Sequence, residues 1–169
     1  MTTQAAAHQQ KLQDGNTNVM AFALELGFFA GLIWGAIHWV FYSFHFTKVI
    51  PGFLGAPFFK LSFLKSGSGH LAGWLLFILL STIASIIYAL LFRKMRGPWP
   101  GIIYGMVWWC LIFAAAGPAL HMVKPLRQLG WNTIVSEFCL FLLWGLFIGY
   151  TIAVEFTDER KREPQHAKA

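Results

Sequence analysis

Four residues able to hold a metal or carry a proton lie near the ends of long apolar segments: His45, His70, His121 and Glu137. With four membrane spans they share one leaflet. The histidines sit at the outer ends of the first three spans, and Glu137 lies about a turn inside the fourth. Three imidazoles and a carboxylate would suit Zn²⁺, since neutral imidazole nitrogen and carboxylate oxygen are ordinary ligands for it. They are scattered single residues, without the spacing of an HExxH helix, and unbonded interfacial histidines account for them more simply. No metal and no other cofactor is therefore expected unless the four side chains converge.

Glu25 and Glu137 are acidic residues embedded in apolar runs, and a carboxylate at membrane depth is costly enough to mark a functional candidate. Each lies about five residues, roughly 8 Å at helical rise, from the end of its run, so it can lean towards water or meet a base. The partners expected are Arg93, Lys94 and Arg96 for Glu25, and for Glu137 a basic or hydroxyl partner near the outer surface, Lys124 and Arg127 being the bases placed nearby. Thr133, Trp144, Thr151 and Glu155 share the face of Glu137. His38 falls on one side of the first run with Gly27, Gly31, Trp34, Tyr42 and His45, because those separations nearly close whole helical turns. That side should face protein.

Small residues recur one turn apart at Gly27, Gly31 and Gly35, at Ser81 and Ser85, at Gly101 and Gly105, and at Gly145 and Gly149. Such spacing lets helix backbones approach closely in a membrane. Gly27, Gly31, Gly35 and Trp39 match Gly97, Gly101, Gly105 and Trp109 at an offset of 70, and Ser81 and Ser85 fall on Gly145 and Gly149 at 64. Duplicated two-helix hairpins would produce that pattern, although glycine and tryptophan also match by chance in apolar helices. Nothing in the chain has the form of a phosphate loop, a nucleophile elbow, a zincin helix or a dinucleotide fingerprint. Enzyme activity has no positive support.

The elements that must position these residues are membrane helices. Of 169 residues, 57% are hydrophobic and only 12% charged, with a mean hydropathy of +0.57, a composition short of the polar cover a water-soluble domain needs. Four apolar runs, about 20–46, 71–92, 99–120 and 133–156, are each long enough to cross the hydrocarbon core as a helix. A β-barrel would show alternating segments of about ten residues, whereas these runs are apolar on all sides. The fold class is thus all-α, a four-helix transmembrane domain over 19–156.

The segment 47–70 mixes Phe and Leu with Lys48, Lys60 and Lys65 and should lie along the interface. Arg93 to Pro100 makes a short basic turn, so runs two and three form a hairpin. The tails, 1–18 and 157–169, are polar and charged, the first expected to be disordered. The termini and the 93–98 turn carry eight Lys/Arg against five on the other side, which places both termini in the cytoplasm. The net charge of +6 is read as topogenic, because the bases flank apolar spans and form no interleaved patch for nucleic acid. Cys110 and Cys139 lie inside apolar runs with no ligand spacing and are read as packing residues that say little about redox compartment.

Gly27-Phe-Phe-Ala-Gly-Leu-Ile-Trp-Gly35, Trp99-Pro-Gly-Ile-Ile-Tyr-Gly105 and Leu143-Trp-Gly-Leu-Phe-Ile-Gly-Tyr-Thr-Ile-Ala-Val-Glu-Phe156 resemble the YqhR family of conserved bacterial membrane proteins, over roughly residues 19 to 156. The resemblance implies a multi-pass plasma-membrane protein of Gram-positive, spore-forming-type bacteria. It brings no reaction, ligand or catalytic residue. The expected function is a non-enzymatic structural, assembly or regulatory component whose partners are the lipid bilayer and either its own copies or a larger membrane protein. The alternative is a small transporter or channel subunit with a polar path near Glu137 and the outer histidines.

Overall fold

A computed structural model of the protein describes residues 18–95 and 97–156. The 1–17 and 157–169 tails and Arg96 lie outside the described residues. Four helices long and apolar enough to cross a membrane account for most of the described chain: α1 Val19–Ser43, α2 Gly67–Phe92, α3 Trp99–Ala119 and α4 Trp131–Phe156. The described residues contain no strand.

Local chemistry sets where these helices begin and end. Asn18 caps α1, its side chain accepting from the Met20 N–H at 3.1 Å, and Ser66 caps α2 by accepting from Gly69 N–H at 3.2 Å. Pro100 lies in the first turn of α3, where a missing N–H costs nothing. α1 stops at Ser43, short of the expected 46, because His45 adopts φ 62°. The His45 N–H bonds the Tyr42 carbonyl and the Phe46 N–H reaches back to Phe41 at 2.9 Å, the pairing that closes a helix through a left-handed residue. His121, φ 56°, closes α3 the same way, with its own N–H on Pro118 and the Met122 N–H on Gly117. Histidine is among the non-glycine residues that enter this region more readily than most.

α3 is not a uniform α-helix. Cys110–Ala116 is wound as a π-helix, and the Gly117 N–H bonds Ile112, five residues back. Pro118 explains the widening: in a regular α-helix its ring would strike the carbonyl four residues earlier, and looser winding moves that carbonyl aside. Cys110 and Cys139, read as packing residues, are exposed on the bundle surface.

Helix pairing follows the small residues. α1 and α2 run antiparallel, Gly27 against Thr82 and Ser85, Gly31 against Ile78 and Ser81, Gly35 against Trp74 and Phe77. α3 and α4 pack likewise, Gly101 on Gly145 and Gly149, Gly105 on Phe141. The close glycine contacts thus join α1 to α2 and α3 to α4. The 93–98 turn connects one pair to the other, and α2 and α3, joined by it, meet through side chains and not through glycine backbones.

Lipid tails are as apolar as leucine, so burial alone does not hold one pair to the other. Side-chain hydrogen bonds cross the seam instead. Trp144 Nε1 on α4 donates to Ser81 Oγ on α2 at 3.0 Å, and Tyr104 on α3 donates to the Ala84 carbonyl on α2 at 2.7 Å. Around them Phe77, Tyr104, Trp108, Phe141 and Trp144 form a continuous set of edge, tilted and stacked ring contacts.

The long loop, residues 44–66, is partly built into the bundle. Val49, Phe53 and Leu64 are buried, and the Pro51–Gly52 backbone lies directly on Gly73 of α2. Phe44, Phe46, Phe58 and Phe59 of the same loop are exposed. Its buried half plugs the end of the bundle opposite the termini, while its exposed aromatic half has the composition of an interface.

Candidate functional site

Glu137 is enclosed at the plugged end, with 1% of its surface exposed. Trp131 starts α4 six residues earlier, and burial follows from the helical stripe Thr133, Glu137, Leu140, Phe141 and Trp144, all buried against the other helices. His38 reaches the same point from α1, where it shares the buried side with Gly31 and Gly35. Its Nε2 is hydrogen-bonded to Glu137 Oε1 at 3.0 Å, across 99 residues of chain.

Thr47 completes the cluster from the loop. Its hydroxyl donates to the same Oε1 at 2.5 Å and in turn accepts from the Val49 N–H at 3.1 Å. One turn before Glu137, Thr133 Oγ1 accepts from the Lys48 N–H at 3.2 Å. Two positions on α4 therefore hold two consecutive loop residues, Thr47 and Lys48, and Thr47 in turn holds Val49. A buried carboxylate without partners would cost several kcal/mol, on the order of the desolvation penalty of an ion, and Oε1 avoids this by taking two hydrogen bonds. Oε2 has no hydrogen-bond partner among the described residues.

The outer cluster weighed as a speculative metal site does not assemble among the described residues. His45 and His121 are exposed helix-closing residues, and His70 lies in ring contact with Trp39 and Tyr42, centroids 5.8 and 5.3 Å away. Among the described residues no three of His, Cys, Asp and Glu are grouped so as to hold a metal. All four are near one end of the bundle: Glu137 is buried in it, His70 is half-buried with its Nε2 enclosed, and His45 and His121 are exposed. Its partners are an imidazole and a hydroxyl, His38 and Thr47, and not the nearby bases Lys124 and Arg127. Thr47 was not foreseen; the one signal for it is a lone hydroxyl where the chain leaves the first span.

Glu25 is exposed on α1 and forms no ion pair among the described residues. Of the face drawn for α1, Gly27, Gly31 and His38 are buried, Trp34 and Tyr42 half-buried and His45 exposed. On α4 the Thr151 hydroxyl turns back to the Phe147 carbonyl at 2.7 Å and takes no part in the cluster. Two further buried hydroxyls, Ser85 and Tyr88, have no hydrogen-bond partner among the described residues where α2 meets the glycine seams, the Tyr88 oxygen lying against Gly149. The arrangement can hold a proton and can fasten a loop; it presents no activated nucleophile.

Comparison with known proteins agrees with this picture of a membrane protein. A family described as "Conserved membrane protein YqhR" matches residues 3–167. A Bacillus subtilis (strain 168) protein named "Uncharacterized protein YqhR" is 34% identical over 132 residues, which span 78% of this chain and 74% of the relative. No solved structure matches. The chain belongs to the YqhR family of conserved membrane proteins.

Proposed function

We propose that the protein is a non-enzymatic assembly or regulatory component of the bacterial plasma membrane, with both termini cytoplasmic and the plugged end of the bundle outside. The observation that carries this reading is Glu137 Oε1 hydrogen-bonded to both His38 and Thr47. The most costly polar group in the spans is spent on fastening an outer loop to two helices, a use that builds a fixed external surface. Glycine seams that bring backbones into contact likewise serve rigidity. The two helix pairs are read as copies of one hairpin: Gly31 with Ser81 and Gly35 with Phe77 correspond, at offsets of 70 and 64, to Gly101 with Gly145 and Gly105 with Phe141.

A transporter or channel subunit is the second reading, favoured by the unpartnered Oε2 of Glu137 beside His38, a pair able to hold a proton inside the spans. Two measurements separate them. Purification from native membrane in mild detergent should recover a stoichiometric partner, either another membrane protein or a second copy. Reconstituted in vesicles under a pH gradient, the protein should carry no proton flux above empty vesicles. A flux that disappears in Glu137→Gln would overturn the first reading and establish the second.

A further inference from the structure

A cavity of about 660 Å³ opens at the plugged end, between the loop that follows α1 and the loop joining α3 to α4. Its polar lining is Lys48, Lys65, His121, Lys124 and Gln128. The three lysines come from three separate stretches of chain: the strap fastened to α4, the residue after the Leu61–Leu64 turn, and the α3–α4 loop. Between them lie apolar walls, with Ile50, Leu61, Met122 and Leu129 among the contributors.

The charge in this cavity has no internal counterpart. Residues 44–66 and 120–130 contain Lys48, Lys60, Lys65, Lys124 and Arg127 but neither Asp nor Glu. The nearby carboxylate, Glu137, is buried and already bonded to His38 and Thr47. Three ammonium groups around one partly apolar cavity repel one another, and an anion entering from outside would relieve that repulsion. The site is also held in advance. The Lys48 backbone is pinned to Thr133, the residues on either side of it are bonded through Thr47, and its ammonium group rests near Gly130 at the start of α4.

Position selects the kind of anion. The cavity lies where α1 and α3 end and α4 begins, the end of the spans at which lipid headgroups are expected, and Phe44, Phe46 and Trp131 are exposed at that same end. Its volume falls within the range of small-molecule sites, about 300–1,000 Å³. We infer that it binds the phosphate of an anionic glycerophospholipid from the leaflet at that end, the lysines on the phosphate and the apolar wall against the glycerol and upper acyl chain. The inference rests on the cavity and its depth, independently of the function proposed above.

The test uses the full-length protein in a neutral detergent, titrated separately with phosphatidylglycerol, phosphatidylcholine and inorganic phosphate while the unfolding temperature is followed. Phosphatidylglycerol should raise it saturably, and phosphatidylcholine should not. At about 1 kcal/mol per charge near an anionic surface, the half-saturating concentration should rise about fivefold for Lys65→Gln or Lys124→Gln alone. It should rise about a hundredfold for Lys48, Lys65 and Lys124 changed together. Lys60→Gln with Arg127→Gln, two bases at the same end outside the cavity, should bind as the parent does. The single variants keep the test intact if the triple one does not fold. An equal response to phosphatidylcholine, no response to phosphatidylglycerol, or the same response in the single lysine variants and the parent would overturn the proposal. So would inorganic phosphate reproducing the shift at the same concentration, which would make the ligand a soluble phosphate.

Discussion

The hydroxyl of Thr47, four residues beyond the first span, donates at 2.5 Å to Glu137, which is buried in the last. With His38 on the same oxygen, the bond ties the loop, α1 and α4 at one point. Glu137→Ala should orphan both partners and destabilise the protein by about 2–4 kcal/mol, given roughly 1–3 kcal/mol for each buried group left unsatisfied. Glu137→Gln keeps a carbonyl acceptor and should lose less than half as much. Unfolding of the purified variants in detergent measures both. A double-mutant cycle between Thr47→Val and Glu137→Ala, which removes the acceptor, should give a coupling of about 0.6–1.7 kcal/mol. Zero coupling would mean that the loop is held by its apolar residues alone.

A second prediction concerns the seams. A Cβ on Gly105 would run into the Phe141 backbone, and one on Gly145 into the Gly105 backbone, neither of which can move without parting the helices. Gly105→Ala and Gly145→Ala should each cost about 1–3 kcal/mol as overpacking, and Gly31→Leu or Gly105→Leu should abolish the folded bundle. At Gly67 nothing lies within 4 Å of the added carbon. Gly67→Ala should therefore be neutral in the same unfolding assay, and an equal loss at Gly67 and Gly105 would show that the seams are looser than drawn.

Spans and depth were legible in the sequence because lipid imposes them: about 20 apolar residues per crossing, with 1.5 Å of rise for each. The same arithmetic put His45, His70, His121 and Glu137 at one end. It could not supply the rotation of each helix about its axis, which is set by what packs against it, and rotation decides whether residues at one depth meet. His38 and Glu137 meet because Gly31 and Gly35 turn that face of α1 inward. The π-helix at 110–116 was illegible for a related reason: Pro118 announces a disturbance in α3, but which turn absorbs it depends on neighbouring packing.

Topology gives a third prediction. In a background with Cys110 and Cys139 replaced, single cysteines near Lys11, Met95 and Gln165 should be protected from an impermeant maleimide in intact cells. Positions near Ser66 and Lys124 should react. Both native cysteines are exposed on the bundle surface, so replacing them should leave the fold intact. Labelling of Met95 from outside would invert the protein and place the lysine-lined cavity in the inner leaflet.

The last prediction separates a backbone role from a ligand role for the two exposed histidines. His45 and His121 both hold φ near +60° at the end of a span, where the chain must reverse its course to satisfy the last helical carbonyls. An L-residue pays roughly 1–2 kcal/mol for that conformation, and glycine pays almost nothing, although it also has more freedom to lose on folding. The two effects nearly cancel, so His45→Gly and His121→Gly should each stay within about 1 kcal/mol of the parent or exceed it. A β-branched residue gains no such relief, and His45→Val or His121→Val should fall below the parent by at least about 1 kcal/mol. Were either imidazole instead a ligand or a buried hydrogen-bonding group, glycine and valine would be equally harmful, because both remove the ring. Unfolding temperatures of the four variants, read side by side in one detergent, decide between the two: glycine above valine at both positions means that these histidines end helices.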